Sequence, residues 1–168
     1  MRIKALVLFF FLLFGLQNSC SISYSFVGVD IGDAKTVTVK YFTNNAPLTA
    51  PLFPQQLSEG LKDIFLQQTS LDLADKGGDL IFEGVITKYA VAPAAIQSGE
   101  QASLNRLTVT VEVTFTNTIK EEDSFESSFS RFADFPGNDD ISQHETALMD
   151  EIIEQLTQDI LNKALGNW

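Results

Sequence analysis

Residues 106–117 alternate without a break. Leu107, Val109, Val111, Val113 and Phe115 are apolar, and Thr108, Thr110, Glu112, Thr114 and Thr116 between them are polar. Side chains on a strand point to opposite faces with period 2, so this pattern predicts a strand with one buried and one polar face. On a helix the same apolar residues would scatter round the whole circumference. Seven of the ten positions are β-branched, which suits a pleated, half-buried surface. Such a strand needs neighbours beside it and a cover over its apolar face.

The neighbours can be read on either side. Residues 36–42 alternate, with Val37, Val39 and Tyr41 on one face. Residues 80–91 place Phe82 and Ile86 on one parity and Val85, Tyr89 and Val91 on the other. That mixture predicts either an interior strand, apolar on both faces, or a bulge at Gly84 that flips the pattern. Residues 124–135 carry Phe125, Phe129 and Phe135 on one parity. The segments 75–79 (DKGGD) and 120–123 have turn chemistry, as does 44–54 with its asparagines and prolines. The later strands follow one another without an intervening helix, which predicts an antiparallel meander. The connection 93–105 is long, a length usual for functional or disordered loops.

Two helical stripes supply the cover. Over 54–69, Leu57, Leu61, Ile64 and Phe65 fall at i, i+4, i+7 and i+8. Gly60 inside this stretch costs about 1 kcal/mol of helix propensity. Over 142–165, Leu148, Ile152, Leu156 and Ile160 recur every four residues, joined by Ile153, Leu161 and Leu165. Ser142 and Glu145 have capping-box spacing, and Gly166 is placed as a stop. The expected fold is α+β: a two-layer sandwich in which a mainly antiparallel sheet of about four strands carries two helices on one face, forming one domain over 35–168.

The amino-terminal segment is of a different kind. Arg2 and Lys4 precede an apolar run over 5–16, broken only by Gly15. A basic start followed by an apolar run of about 7–15 residues describes a secretory signal, and the run is too short for a membrane span of about 20 residues. LQNSC follows and holds Cys20, the single cysteine. The segment resembles a bacterial lipobox, with small Ser19 before the cysteine, although Gln17 stands where an aliphatic residue is usual. The expectation is a signal peptide over 1–19, lipidation of Cys20 as in lipobox-bearing lipoproteins, and a tether over 20–34. Acyl chains contribute about 0.8 kcal/mol per buried CH₂, which makes such an anchor stable. Ser21, where an Asp would indicate inner-membrane retention, favours the outer membrane.

Charge and residue counts narrow the function. The formal net charge is −11, and the loss of Arg2 and Lys4 would leave 9 basic against 22 acidic side chains, or −13. Nucleic acid is an unsuitable partner for such a chain, because phosphate binding leans on Lys and Arg. A single cysteine allows no internal disulfide, and a single histidine, His144, allows no multi-histidine metal site. His144 lies beside Asp139, Asp140 and Glu145, a grouping that reads as a helix start, where acidic side chains suit the dipole. No nucleophile, oxyanion motif or phosphate loop accompanies it, so neither catalysis nor a cofactor is expected. Glu83 and Glu112 would form a carboxylate pair only if the sheet aligned them.

Several strings together resemble a family: 44–48 (NNAPL), 78–89 (GDLIFEGVITKY), 105–115 (NRLTVTVEVTF), 128–135 (SFSRFADF) and 151–168 (EIIEQLTQDILNKALGNW). They are similar to a divergent branch of the LptE-like lipopolysaccharide-assembly lipoproteins. The resemblance implies a sheet with two helices on one side, anchored at the outer membrane. It also implies a seat in the lumen of a large β-barrel partner of LptD type, with which the pair inserts lipopolysaccharide into the outer leaflet. No catalytic residue is carried over. The alternative reading is a pilotin-like scaffold lipoprotein that binds a secretion-system component and transports no lipid. A chain this acidic does not attract anionic lipopolysaccharide by its bulk field, so any contact must be local, with Lys88 and Arg106 as candidate donors. Thr108, Thr110, Thr114 and Thr116 form the candidate partner-binding face, because a plug inside a polar barrel needs surface groups that the wall or water can satisfy.

Replacing Cys20 by Ser should leave the chain out of the membrane fraction and remove acyl mass from its amino terminus, as read by fractionation and mass spectrometry. A Cys20→Ser chain that still pellets with outer membrane in cells lacking any barrel partner would contradict the lipidation reading.

Overall fold

The computed structural model describes residues 31–94 and 104–166. Residues 1–30 lie outside them, and with them the signal peptide, Cys20 and most of the tether. Residues 95–103, the body of the long connection, lie outside them as well.

Among the described residues the chain forms six strands and two long helices in the order β1 (Thr36–Val39), β2 (Thr43–Asn44), α1 (Phe53–Gln68), β3 (Asp72–Leu73), β4 (Leu80–Pro93), β5 (Leu104–Asn117), β6 (Phe125–Pro136) and α2 (Glu145–Leu165). The strands make one mixed sheet ordered β3-β1-β4-β5-β6, with β2 also paired to β4. The long strands β4, β5 and β6 are an antiparallel meander. The short strands β1, β2 and β3 pair in parallel, and α1 supplies the crossover that parallel pairing needs. The expected α+β sandwich is present, with two-residue β2 and β3 beyond the four strands anticipated. Such short strands leave almost no periodicity to read.

One core lies between the sheet and both helices. Leu107, Val109, Val111, Val113 and Phe115 of β5 are all buried. Against them pack Leu57, Leu61 and Phe65 of α1 and Leu148, Ile152, Leu156 and Ile160 of α2, each buried as its stripe required. Four rings run across the layers: Phe65 to Phe82 at 4.9 Å between centroids, Phe82 to Phe115 at 4.7 Å, and Phe115 to Phe125 at 5.2 Å. Gly60 stands where the helices meet: a Cβ there would lie 2.7 Å from Ile153 Cγ2. The missing side chain thus permits the helix–helix approach.

The mixed pattern of β4 has a local cause. The register with β5 shifts between Ile86 and Lys88, so Thr87 is the bulged residue, not Gly84. Before the bulge Leu80, Phe82 and Ile86 face the core; after it Tyr89 turns inward, edge-to-face on Phe53, and Lys88 turns outward. Gly84 has another task. A Cβ on it would meet the Phe42 ring at 2.3 Å, so it is the notch that admits that ring. The same notch corrects the reading of 36–42. Tyr41 is 61% exposed and Phe42 only 4%. The strand breaks after Val39, and the Phe42 N–H donates to Ser58 Oγ of α1 at 2.9 Å instead of to the sheet. The capping box also fails to form: Asp140 accepts from the Ser142 N–H at 2.9 Å and opens a 3₁₀ turn, and α2 starts after His144. Gly166 follows α2 with extended backbone.

Asp79 fastens the start of β4 to β1. Its carboxylate accepts from the N–H groups of Lys35 and Thr36 at 2.8 and 3.0 Å and from Thr36 Oγ1 at 3.0 Å. These bonds hold its pKa below the ordinary carboxylate value, the Lys35 amide first among the causes. A depressed carboxylate adds stability above its unfolded value and loses it as pH falls through the folded value. Asp79→Ala should therefore lower the melting temperature at pH 7, and the gap from the parent chain should close as the pH is taken below the ordinary Asp range. A gap that widens in acid would contradict the assignment.

Leu156→Ala should cost about 2–5 kcal/mol in denaturant melts by opening a cavity. Glu154→Ala, one face away and exposed, should cost no more than about 0.5 kcal/mol. Gly84→Ala should cost about 1–3 kcal/mol through overpacking on Phe42.

Candidate functional site

Both long helices lie on one side of the sheet, and among the described residues no helix covers the other side. This open face is written by the even-numbered positions of β5. Cross-strand registers set its rows. Arg106 stands opposite Ala92 and Asp134, Thr108 opposite Ala90 and Phe132, and Thr110 opposite Lys88 and Ser130; Glu112 stands opposite Ser128 and Thr114 opposite Glu83 and Glu126. Thr108, Thr110, Thr114 and Thr116 therefore share one face, over about 27 Å of strand at about 3.4 Å per residue. Thr114 is exposed and the other three are half-buried by their neighbours. Ser128 and Ser130 join the same face through their registers with Glu112 and Thr110. Thr110 Oγ1 and Ser130 Oγ are 3.0 Å apart, and Ser130 also reaches the Val109 carbonyl at 3.3 Å.

The two candidate cations differ in their freedom. Arg106 clamps Asp134 with Nε at 2.7 Å and Nη2 at 2.9 Å, and its guanidinium lies 3.6 Å from the centroid of the Phe132 ring. The Arg106 bond holds the Asp134 carboxyl below the ordinary range. Lys88 is exposed and forms no ion pair among the described residues. Its place on the open face depends on the Thr87 bulge, since without that extra residue the alternation would turn it toward the core. From sequence the two cations could not be placed on one face, because the position of the bulge was not legible. Toward the opposite end of the face the charge is acidic: Glu83 pairs with Lys40 at 3.2 Å, and Glu112 and Glu126 lie along the neighbouring rows. Glu83 faces Thr114 and Glu112 faces Val85, so the two carboxylates do not pair.

His144 is a structural residue in its contacts. Its Nε2 lies 2.9 Å from Asp139 Oδ2, its ring lies against Phe135, and its carbonyl receives the Leu148 N–H. Tyr89 bonds Glu145 at 3.3 Å, and burial first, then that carboxylate, hold its hydroxyl un-ionised well above the usual range. One feature was not foreseen. A groove of about 860 Å³ opens at the end of the sheet remote from Lys88, between residues 31–34, the β5–β6 turn and the end of α2, with Ile31, Leu80, Ile119, Lys120 and Lys163 among its walls. No periodicity signals it, because three separate segments meet there. No helix among the described residues is long and apolar enough to cross a membrane, and no group of His, Cys, Asp and Glu among them could hold a metal ion.

A two-layer α+β domain with both long helices packed on one side of a mixed sheet defines the class of fold. The chain belongs to the LptE lipopolysaccharide-assembly family, whose model matches residues 34–164. No curated protein matches the sequence. Among solved structures it is similar to a protein from Xanthomonas campestris, with 11% identity, a TM-score of 0.54, and coverage of 82% of this chain and 86% of that one. A hypothetical protein from Chlamydia trachomatis matches with 7% identity and a TM-score of 0.53, over 78% and 98%. A minor lipoprotein from Acinetobacter baumannii shares 14% identity with a TM-score of 0.46, over 74% and 91%. At these identities the first two show the fold alone.

The Arg106 clamp makes a prediction about acid. Its partner's pKa is depressed, so the pair holds at neutral pH and opens only when the pH falls through the lowered Asp134 value. The Arg106 side-chain Nε resonance should stay fixed from pH 8 to 5 and move only in stronger acid. Movement centred near neutrality would show that the clamp is not the resting state.

Proposed function

We infer that this chain is an outer-membrane lipoprotein, held by acyl groups on Cys20, whose domain seats in the lumen of an LptD-like β-barrel. There it supports assembly of the barrel and insertion of lipopolysaccharide into the outer leaflet. Its role is binding and scaffolding, without catalysis and without a cofactor. Family membership supports the lipopolysaccharide-assembly role. The observation that carries the seat in a barrel is the open face itself: a sheet side bare of helices, with a hydroxyl-rich centre of Thr108, Thr110, Ser130 and Ser128. A barrel interior is polar, and hydroxyls can meet its donors and acceptors in either sense without the desolvation cost of a charge. Lys88 is the cation placed to meet an anionic lipopolysaccharide group at the edge of that face. Arg106 could do so only by leaving Asp134.

Thr110→Glu combined with Thr114→Glu tests this reading. Both side chains point away from the core, so the domain should melt within a few degrees of the parent. Recovery of the barrel on affinity purification should fall several-fold, and cells should become more sensitive to bulky hydrophobic antibiotics. A double variant that melts normally and still recovers the full amount of barrel would remove this face from the interface.

A further inference from the structure

β6 is the outermost strand of the sheet on that side, and among the described residues no strand pairs with its outer edge. The ladder alternation shows which groups line it. The Ala94 N–H bonds the Leu104 carbonyl and the Thr118 N–H bonds the Asp79 carbonyl, so even-numbered residues of β5 bond toward β4 and odd-numbered ones toward β6. Opposite them, the odd residues of β6, Phe125 to Phe135, bond back to β5. The N–H and C=O groups of Glu126, Ser128, Ser130, Phe132 and Asp134 therefore point out of the sheet, and none has a hydrogen-bond partner among the described residues.

An edge of this length is normally blunted by a bulge, a lysine, an internal proline or an inward-pointing charge. The β5–β6 register runs unbroken over all twelve residues of β6, which hold no lysine, and the only proline is the terminal Pro136. Arg131 is the inward-pointing charge, but Asp159 of α2 neutralises it through Nε and Nη2. The edge is thus left open to pairing.

We propose that the outer edge of β6 accepts an extended segment of another protein as an added strand, one with apolar side chains at alternate positions and a basic residue at the end that lies beside Glu126. Phe125 and Phe129 on the helix side of the edge are only half-buried, and Phe132 on the open side is 46% exposed. A strand laid about 4.8 Å away would cover their free flanks. The charge beside the edge selects for cations: Glu126 lies on it and Glu121 and Glu122 precede it, all without an ion pair among the described residues. A second copy of the chain is disfavoured because each copy brings a net charge of −11. The added strand uses a different surface from the hydroxyl rows and does not depend on the barrel reading.

The test uses the full chain in detergent and a labelled ten-residue peptide of alternating valine and threonine with a lysine at each end. Binding is followed by anisotropy, and exchange of the β6 amides by NMR. The expected result is saturable binding that slows exchange at Glu126, Ser128, Ser130 and Phe132. Methylating the peptide nitrogens of one parity should weaken it at least tenfold, and so should Ser128→Pro with Ser130→Pro. Those prolines remove only outward amides and leave the β5 ladder intact. Binding that ignores both changes, or no protection of the even-numbered β6 amides, would overturn the proposal. If the proline variant fails to fold, the exchange pattern of the parent chain decides alone. A concentration-dependent dimer in sedimentation that protects the same amides would make a second copy the occupant and would likewise overturn it.

Discussion

The alternation on β5 sets the architecture. Five apolar side chains, Leu107 to Phe115, are shut away on one face while their neighbours remain on the other. A one-residue slip would exchange the two sets, so the register is tightly specified. Burial of that face draws both helices to the same side, because each has one apolar stripe and the sheet has one apolar face to offer. The bare face is the direct consequence. Glycine refines the packing at two points: Gly60 lets α1 approach Ile153, and Gly84 receives Phe42.

Strong periodicity was legible and local exceptions were not. Both helix stripes, the β5 alternation and the three-strand meander could be read because each repeats over ten or more residues. The break at Lys40–Phe42 could not be read. It depends on Ser58, sixteen residues away, accepting the Phe42 amide. The bulge on β4 was anticipated in kind and misplaced by three residues: Gly84 is the more obvious candidate from composition, while Thr87 is where two registers meet. The capping box at Ser142 had the right spacing, yet Asp140 reaches the Ser142 amide first. Strands β2 and β3 are two residues each, and pairing to β4 and β1 defines them, not their own sequence.

The candidate site was legible to a similar depth. Period 2 placed the four threonines on one face, and the registers add Ser128, Ser130 and Lys88 to it. The pairing of Arg106 with Asp134 could not be foreseen, since it joins residues 28 apart through a register that only the folded sheet defines. It divides the two cations: one is held by a carboxylate and an aromatic ring, the other stands open because a bulge turned it outward. The amino-terminal reading rests on the lipobox-like LQNSC and on the apolar run before it; among the described residues, Ile31 and Ala34 at the end of the tether pack on the core.

The central claim is that the bare side of the sheet, and not the helical layer, meets the partner. The most direct measurement places a photo-crosslinking amino acid at Thr110 in one strain and at Glu154, on the exposed surface of α2, in another. Both are illuminated in living cells and probed for a heat-modifiable barrel adduct. The account predicts a strong adduct from position 110 and little or none from position 154. An adduct from position 154 with none from position 110 would contradict it.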